Sequence, residues 1–273
     1  MGIHDEATLS SRDFGHIASI VKGYGISEID ILGGEPLLHK EIFEILESAT
    51  NYFKQIYLST NGSLINRLKE VKRLYPNISL GISLNSEVND NLREFIIQNR
   101  PVLKSLFQPN KPLSNITWEF IRSGIPYYLI YRDVLSEEDL QHLVPFYEFL
   151  KEVEGLKEIY PNIEPLYCKG FISGHRQWRC PAGSTKLSIM PDGSVYPCYL
   201  FFGFPEFKLG NILDSDLKRI LKNPTLDFFR NFREKECNNI YCNIKDICHG
   251  GCPAQSYIVY RDLNKSDPRC NQR

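Results

Sequence analysis

The first 167 of the 273 residues contain no cysteine; all eight cysteines fall between Cys168 and Cys270. That distribution confines thiolate chemistry to the C-terminal part and excludes a disulfide framework running through the whole chain. No apolar run approaches the ~20 residues needed to span a bilayer, and residues 1 to 20 lack the apolar stretch of a secretory signal peptide. There is no Lys/Arg run and the formal net charge is only -1, so neither nucleic acid nor an anionic membrane is expected as the main partner. Short-period repeats and low-complexity segments are also missing, which excludes a solenoid or a disordered chain. The compartment these absences imply is the cytoplasm, where thiols stay reduced and free to bind metal.

What is present is 42% hydrophobic and 24% charged, enough for one substantial core plus a small appended module. Ser10 and Ser11 precede a helical pattern with Phe14, Ile17, Ile20 and Val21 on one face. Strand patterns come next at 26–32, 55–60, 78–84, 127–131 and 159–166, the third apolar enough to read as buried on both faces. Helical patterns fall between them, and 86–124 reads as two helical pieces broken at Pro101, Pro109 and Pro112. Ser136 to Asp139 reads as a capping box opening a helix through Leu140, Leu143, Val144, Tyr147 and Leu150. The alternation predicts an α/β fold with a parallel sheet and right-handed crossovers, in open or barrel form. A domain boundary is expected at 167/168, giving 1–167 and 168–273, and Asp192-Gly193 reads as a type I′ hairpin turn leading to Cys198.

Ile31-Leu-Gly-Gly-Glu-Pro36 ends the first strand pattern, at the edge where parallel α/β folds bind ligands, and paired glycines let backbone approach a ligand closely. An ordinary strand-to-helix turn would carry the same residues. Ser59-Thr-Asn-Gly62 and Ser83-Leu-Asn-Ser86 end the next two strands, where capping of the adjoining helix competes with ligand contact. The Tyr-rich strand 127–131 reads as core. The cysteines read Cys180-x12-Gly193-x4-Cys198, then Cys237-x4-Cys242-x5-Cys248-x3-Cys252, and Cys270. Such short gaps suit several thiolates on one soft metal centre. Zinc, with His249 available, and iron-sulfur clusters both fit the spacing.

The cysteine spacing, with Cys180-Pro-Ala-Gly, Met190-Pro-Asp-Gly-Ser-Val-Tyr-Pro-Cys198, Leu209-Gly-Asn-Ile212 and Cys248-His-Gly-Gly-Cys-Pro-Ala254, resembles the SPASM domain of radical SAM enzymes. Cys237-x4-Cys242 is longer than the family's usual two-residue gap. Gly33-Gly34-Glu35-Pro36 is similar to the family's motif for the amino group of S-adenosylmethionine. The resemblance further implies that Ser59, Asn61 and Ser83 contact its carboxylate and ribose, although Asn85 stands where aspartate is more usual. It implies a partial (β/α)6 TIM-like barrel of strands two to six, lacking its first strand, followed by a small Cys-rich SPASM domain. Two auxiliary [4Fe-4S] clusters are implied, one on Cys237, Cys242, Cys248 and Cys270, the other on Cys180, Cys198 and Cys252 with Cys168 as candidate fourth ligand.

The implied activity is modification of a ribosomally made peptide or protein through a 5′-deoxyadenosyl radical, with a flavodoxin or ferredoxin as electron donor. Tyr199, where sulfatase-maturing members carry aspartate, argues against formylglycine formation. The family's catalytic C-x3-C-x2-C is not in the sequence. The expectation is therefore a truncated or degenerate relative that makes no radical as it stands. The alternative is a non-enzymatic iron-sulfur or zinc module for peptide binding or electron transfer.

Overall fold

The computed structural model describes residues 8–84, 87–109, 111–167, 180–231, 237, 248 and 250–270. The chain divides into two compact units. The first comprises Met1–Leu106, Pro112–Ile130 and Val153–Pro165; the second comprises Phe107–Lys111, Tyr131–Glu152 and Leu166–Arg273.

The first unit carries α1 (Ser11–Gly23), β1 (Glu28–Ile31), α2 (Ile42–Tyr52), β2 (Gln55–Thr60), α3 (Ile65–Leu74), β3 (Ser79–Ser83), α4 (Asp90–Asn99), β4 (Val102–Leu106), α5 (Asn115–Arg122) and β5 (Tyr127–Ile130). After these come α6 (Phe146–Ile159), which runs through the division, and β6 (Ile163–Leu166). The six strands form one sheet in chain order, and the pairs from β1 to β5 are parallel. This is the α/β arrangement that the alternation predicts. Ser10 caps α1 by accepting from the Asp13 N–H, and Phe14, Ile17, Ala18 and Val21 are its buried face.

The sheet is two-faced. Ile56, Leu58, Leu80, Ile82, Leu103, Tyr127 and Leu129 are buried and alternate with partly exposed neighbours. Because side chains alternate along a strand, Asp30, Ser59, Gly81, Ser83 and Lys104 share the opposite face. The expectation that β3 is buried on both faces is therefore corrected: Ser79, Gly81 and Ser83 line the more open side. A second correction is β4, which lies inside the stretch expected to be helical. Pro101 stands just before this strand, where no ladder hydrogen bond is lost.

In the second unit, Asp139 accepts from the Leu135 and Ser136 N–H groups as a capping box should, but the element it opens is a 3-10 helix, Glu137–His142. The expected continuous helix is interrupted because Pro145 lacks an N–H and disfavours helical backbone at Val144; α6 then starts at Phe146. A small antiparallel sheet joins β7 (Ser188–Ile189), β8 (Ser194–Tyr196) and β9 (Gly210–Asn211). Short helices α7 (Leu217–Ile220) and α8 (Asp227–Arg230) precede α9 (Pro253–Tyr260). The β7–β8 hairpin is not type I′. Only Gly193 has positive φ, at 80°, and its N–H donates to Met190 O at 2.9 Å, while Asp192 accepts from the Ser194 N–H. That is a longer loop ending in a left-handed glycine.

Candidate functional site

Two groups of candidate residues are placed by the fold, one in each unit. In the first unit, Gly33 and Gly34 follow β1 after Leu32 and are exposed. A Cβ at either position would meet nothing within 4 Å, and neither has a left-handed φ. The fold therefore does not require glycine there; what glycine preserves is open backbone. Glu35 works differently. Its carboxylate accepts from Leu37 N–H at 3.1 Å, Thr60 Oγ1 at 2.7 Å and Asn61 N–H at 2.7 Å, which clamps the β1 end to the β2 end. Pro36 is buried and opens a 3-10 turn, Pro36–Leu38. Asn61 Oδ1 accepts from the Ser63 N–H at 2.8 Å, so its side chain also shapes the turn.

On the open face of the same sheet, Lys104 Nζ donates to Ser59 Oγ at 2.6 Å. The two residues sit on β4 and β2, with Gly81 of β3 between them. A Cβ on Gly81 would lie 3.1 Å from Lys104 Nζ, tighter than ordinary packing, so glycine there leaves room for the side chain to cross. Ser83 pairs in register with Lys104. Burial lowers the Lys104 pKa below the ordinary lysine value, and the Asp30 carboxylate works the other way. The result is a partly desolvated ammonium bonded to the Ser59 hydroxyl on the open sheet face, with Ser83 in register on the neighbouring strand. Sequence reasoning misses Lys104 because it misses the strand that carries it. The signal available is Val102-Leu-Lys-Ser-Leu106 itself, a short alternation with lysine among apolar residues.

In the second unit, Cys180 and Cys252 are buried in one cluster with Tyr196, Phe201, Phe207 and Phe229, and Cys198 packs against it. Cys198 Sγ accepts from the Leu200 N–H at 3.3 Å. Burial pushes the Cys198 thiol well above its usual range, and the nearby Cys252, Cys180 and Asp133 add to the rise. Cys198, half-buried, is thus within electrostatic reach of both Cys180 and Cys252, which are held away from water. Cys248 is also buried, while Cys237 and Cys270 are half-buried; all six are free thiols. Cys168, Cys242, Asn85 and His249 lie outside the described residues. Among the described residues, no three His, Cys, Asp or Glu side chains form a group able to hold a single metal ion.

The fit to an iron-sulfur cluster rests on the donor set and on one orphaned atom. Two buried thiols and the half-buried Cys198 packed against them make a soft donor set, which suits iron and sulfide. Gln255, three residues after Cys252 and fully buried, accepts from the Val134 N–H at 2.8 Å through Oε1, while its Nε2 has no partner among the described residues. A buried amide donor left unpaired costs about 1–3 kcal/mol, and a cluster brings sulfide and thiolate acceptors of the kind it lacks.

The comparisons with known proteins agree with this geometry. Residues 180–253 match SPASM, an iron-sulfur cluster-binding domain. The mycofactocin maturase MftC of Mycobacterium ulcerans is 26% identical over 99% of this chain and 82% of its own length. Residues 180–253 thus carry the match to a SPASM iron-sulfur cluster-binding domain, and nearly the whole chain is similar to this maturase. The subtilosin biosynthesis protein AlbA of Bacillus subtilis is 27% identical over 90% of this chain and 60% of its own. In structure, SuiB of Streptococcus suis bound to S-adenosylmethionine superposes with a TM-score of 0.74 at 20% identity, covering 99% of this chain and 72% of that one. That likeness shows a shared fold. Among the described residues, no helix is long and apolar enough to cross a membrane.

Proposed function

We propose that this radical SAM/SPASM protein acts on a ribosomally made peptide or protein, with S-adenosylmethionine at the strand ends of the first unit and two [4Fe-4S] clusters in the second. The reading keeps the domain division at 1–167 and 168–273. The observation that carries it is the pairing of one sequence with two sites: a Gly33-Gly34 edge left open by the fold, and buried free thiols inside the SPASM match. Relatives supply the substrate class, since MftC is a maturase and SuiB has been seen bound to the precursor peptide SuiA.

When bound and reductively cleaved, S-adenosylmethionine supplies a 5′-deoxyadenosyl radical for hydrogen abstraction. The chain's own part is to bind and orient. Open backbone at Gly33 and Gly34 meets the amino group, and Glu35 holds that turn against Thr60 and Asn61. Lys104, with Ser59 and Ser83 beside it, meets the carboxylate, and Asn61 lies at the ribose side. Cys237, Cys242, Cys248 and Cys270 hold one cluster; Cys180, Cys198 and Cys252 hold the other, with Cys168 as the fourth ligand. A flavodoxin or ferredoxin is the electron donor.

A second reading is favoured by the thiols alone, since zinc and iron-sulfur sites both use buried free cysteines. Under it the chain is an iron-sulfur or zinc module that binds peptide or carries electrons. Two measurements separate the readings. S-adenosylmethionine binding by calorimetry is expected to be weak and to fall about tenfold, ~1.4 kcal/mol, in Lys104→Met. The chain joined to a segment carrying C-x3-C-x2-C should then produce 5′-deoxyadenosine with dithionite. No binding and no product from the joined protein would favour the module.

A further inference from the structure

We infer that Asp267, Arg269 and Asp133 form a positioning unit for the cluster ligands, setting how tightly Cys252 and Cys198 hold iron; this rests on the iron-sulfur reading above. Arg269 and Asp267 side chains are wholly inaccessible to solvent. The guanidinium donates through Nε to Asp267 Oδ1 at 3.0 Å and through Nη2 to Oδ2 at 2.9 Å, a two-pronged pair. Its remaining nitrogen, Nη1, reaches Asp133 Oδ1 at 3.0 Å and Arg132 O at 3.1 Å. Its flat face lies over the Tyr131 ring, 5.2 Å from the centroid.

The two carboxylate partners of Arg269 lead to cysteines, Asp267 directly and Asp133 through Tyr199. Asp267 Oδ2 also accepts from the Cys252 N–H at 3.0 Å, and Asp267 O accepts from the Cys270 N–H at 3.0 Å. Asp133 Oδ2 accepts from the hydroxyl of Tyr199, the residue next after Cys198. The close approach is built in at Gly251: its φ is +78°, and a Cβ there would fall 2.4 Å from Asp267 Cβ. A buried charge pair is an uncertain source of stability, because desolvating the ions offsets their attraction. Its geometry is the more informative property. One rigid fork fixes the backbone of Cys252, which the proposed function gives to one cluster, against that of Cys270, which it gives to the other. Through Asp133 and Tyr199 it also fixes the backbone beside Cys198.

The test uses the full chain reconstituted anaerobically with iron and sulfide. Arg269→Lys keeps the charge and loses the fork, Asp133→Asn keeps the fork and replaces the carboxylate between Arg269 and Tyr199 with a neutral amide, and Leu217→Ala is a core variant of the same unit outside the cysteine cluster. Iron release to a chelator is timed and the dithionite-reduced EPR spectrum recorded. Arg269→Lys and Asp133→Asn are expected to release iron about tenfold or more faster than the parent, with an altered EPR line shape. Leu217→Ala should release at the parental rate and give the parental spectrum. Parental rates and spectra in both Arg269→Lys and Asp133→Asn, or equal acceleration in Leu217→Ala, would overturn the inference. If Arg269→Lys does not fold, Asp133→Asn and Tyr199→Phe decide by the same two readouts. A parent that takes up no iron instead overturns the iron-sulfur reading itself.

Discussion

The two units place their functional groups in opposite ways. In the first, the candidate residues stand at the ends and on the open face of regular strands, while the core lies on the other face: Ser59, Ser83 and Lys104 alternate away from Ile56, Leu58, Ile82 and Leu103, and Gly33 and Gly34 lie past the end of β1. In the second, Cys180 and Cys252 are themselves core residues, packed with Phe201, Phe207 and Phe229. The difference teaches where function can be altered without touching the fold. A strand end is a scaffold that tolerates change at its tip, whereas a thiol site built into the core shares its packing with whatever it binds.

Breaking the core of the second unit gives the largest effect. Phe229 is fully buried, with ring centroids 5.5 Å from Phe201 and 5.4 Å from Phe228. Phe229→Ala should destabilise that unit by about 3–5 kcal/mol in chemical denaturation and weaken iron uptake with it. Next comes a matched pair of glycine substitutions. Gly251→Ala drives a Cβ into Asp267 at a left-handed φ and should cost about 1–3 kcal/mol. Gly33→Ala meets open space and should change stability by less than about 0.5 kcal/mol while weakening S-adenosylmethionine binding. Equal losses of stability in the two variants would erase the contrast between the units.

The smallest effect is a slope in pH. The folded pKa of Lys104 lies below its ordinary 10.5, so between those two values the unfolded chain binds the extra proton. Stability of the first unit should therefore rise as pH climbs through that window and level off near 10.5. Lys104→Met should flatten the rise and be slightly more stable near neutral pH, since it removes a partly desolvated charge. A parent and variant with the same pH slope in thermal unfolding would contradict this account of the Lys104 environment.

How legible each element is in the sequence depends on how local its signal is. The caps and faces of α1, the strand β2 and the parallel alternation depend on near neighbours and are readable. The strand β4 is not, because Pro101 and Lys104 carry the marks of a break and a surface while standing at a strand start and on the site face. The capping box at Ser136 and Asp139 outweighs Pro145 in the sequence pattern, yet the proline prevails in the fold, so one expected helix is two elements. The SPASM spacing announces the thiols, but nothing local announces Arg269 as their organiser: its bond to Asp133 spans 136 residues. Gln255 is invisible for the same reason, since only the fold shows that its amide nitrogen is buried with no partner among the described residues.

The claim at the centre of this account is that the buried thiols of the second unit hold iron and sulfide. Metal and acid-labile sulfide per chain, measured after anaerobic reconstitution and gel filtration, test it most directly. Two full clusters on the eight cysteines predict about eight irons and eight sulfides, with visible absorption that disappears on chelation. Zinc without sulfide, or only about four irons, would contradict the two-cluster assignment.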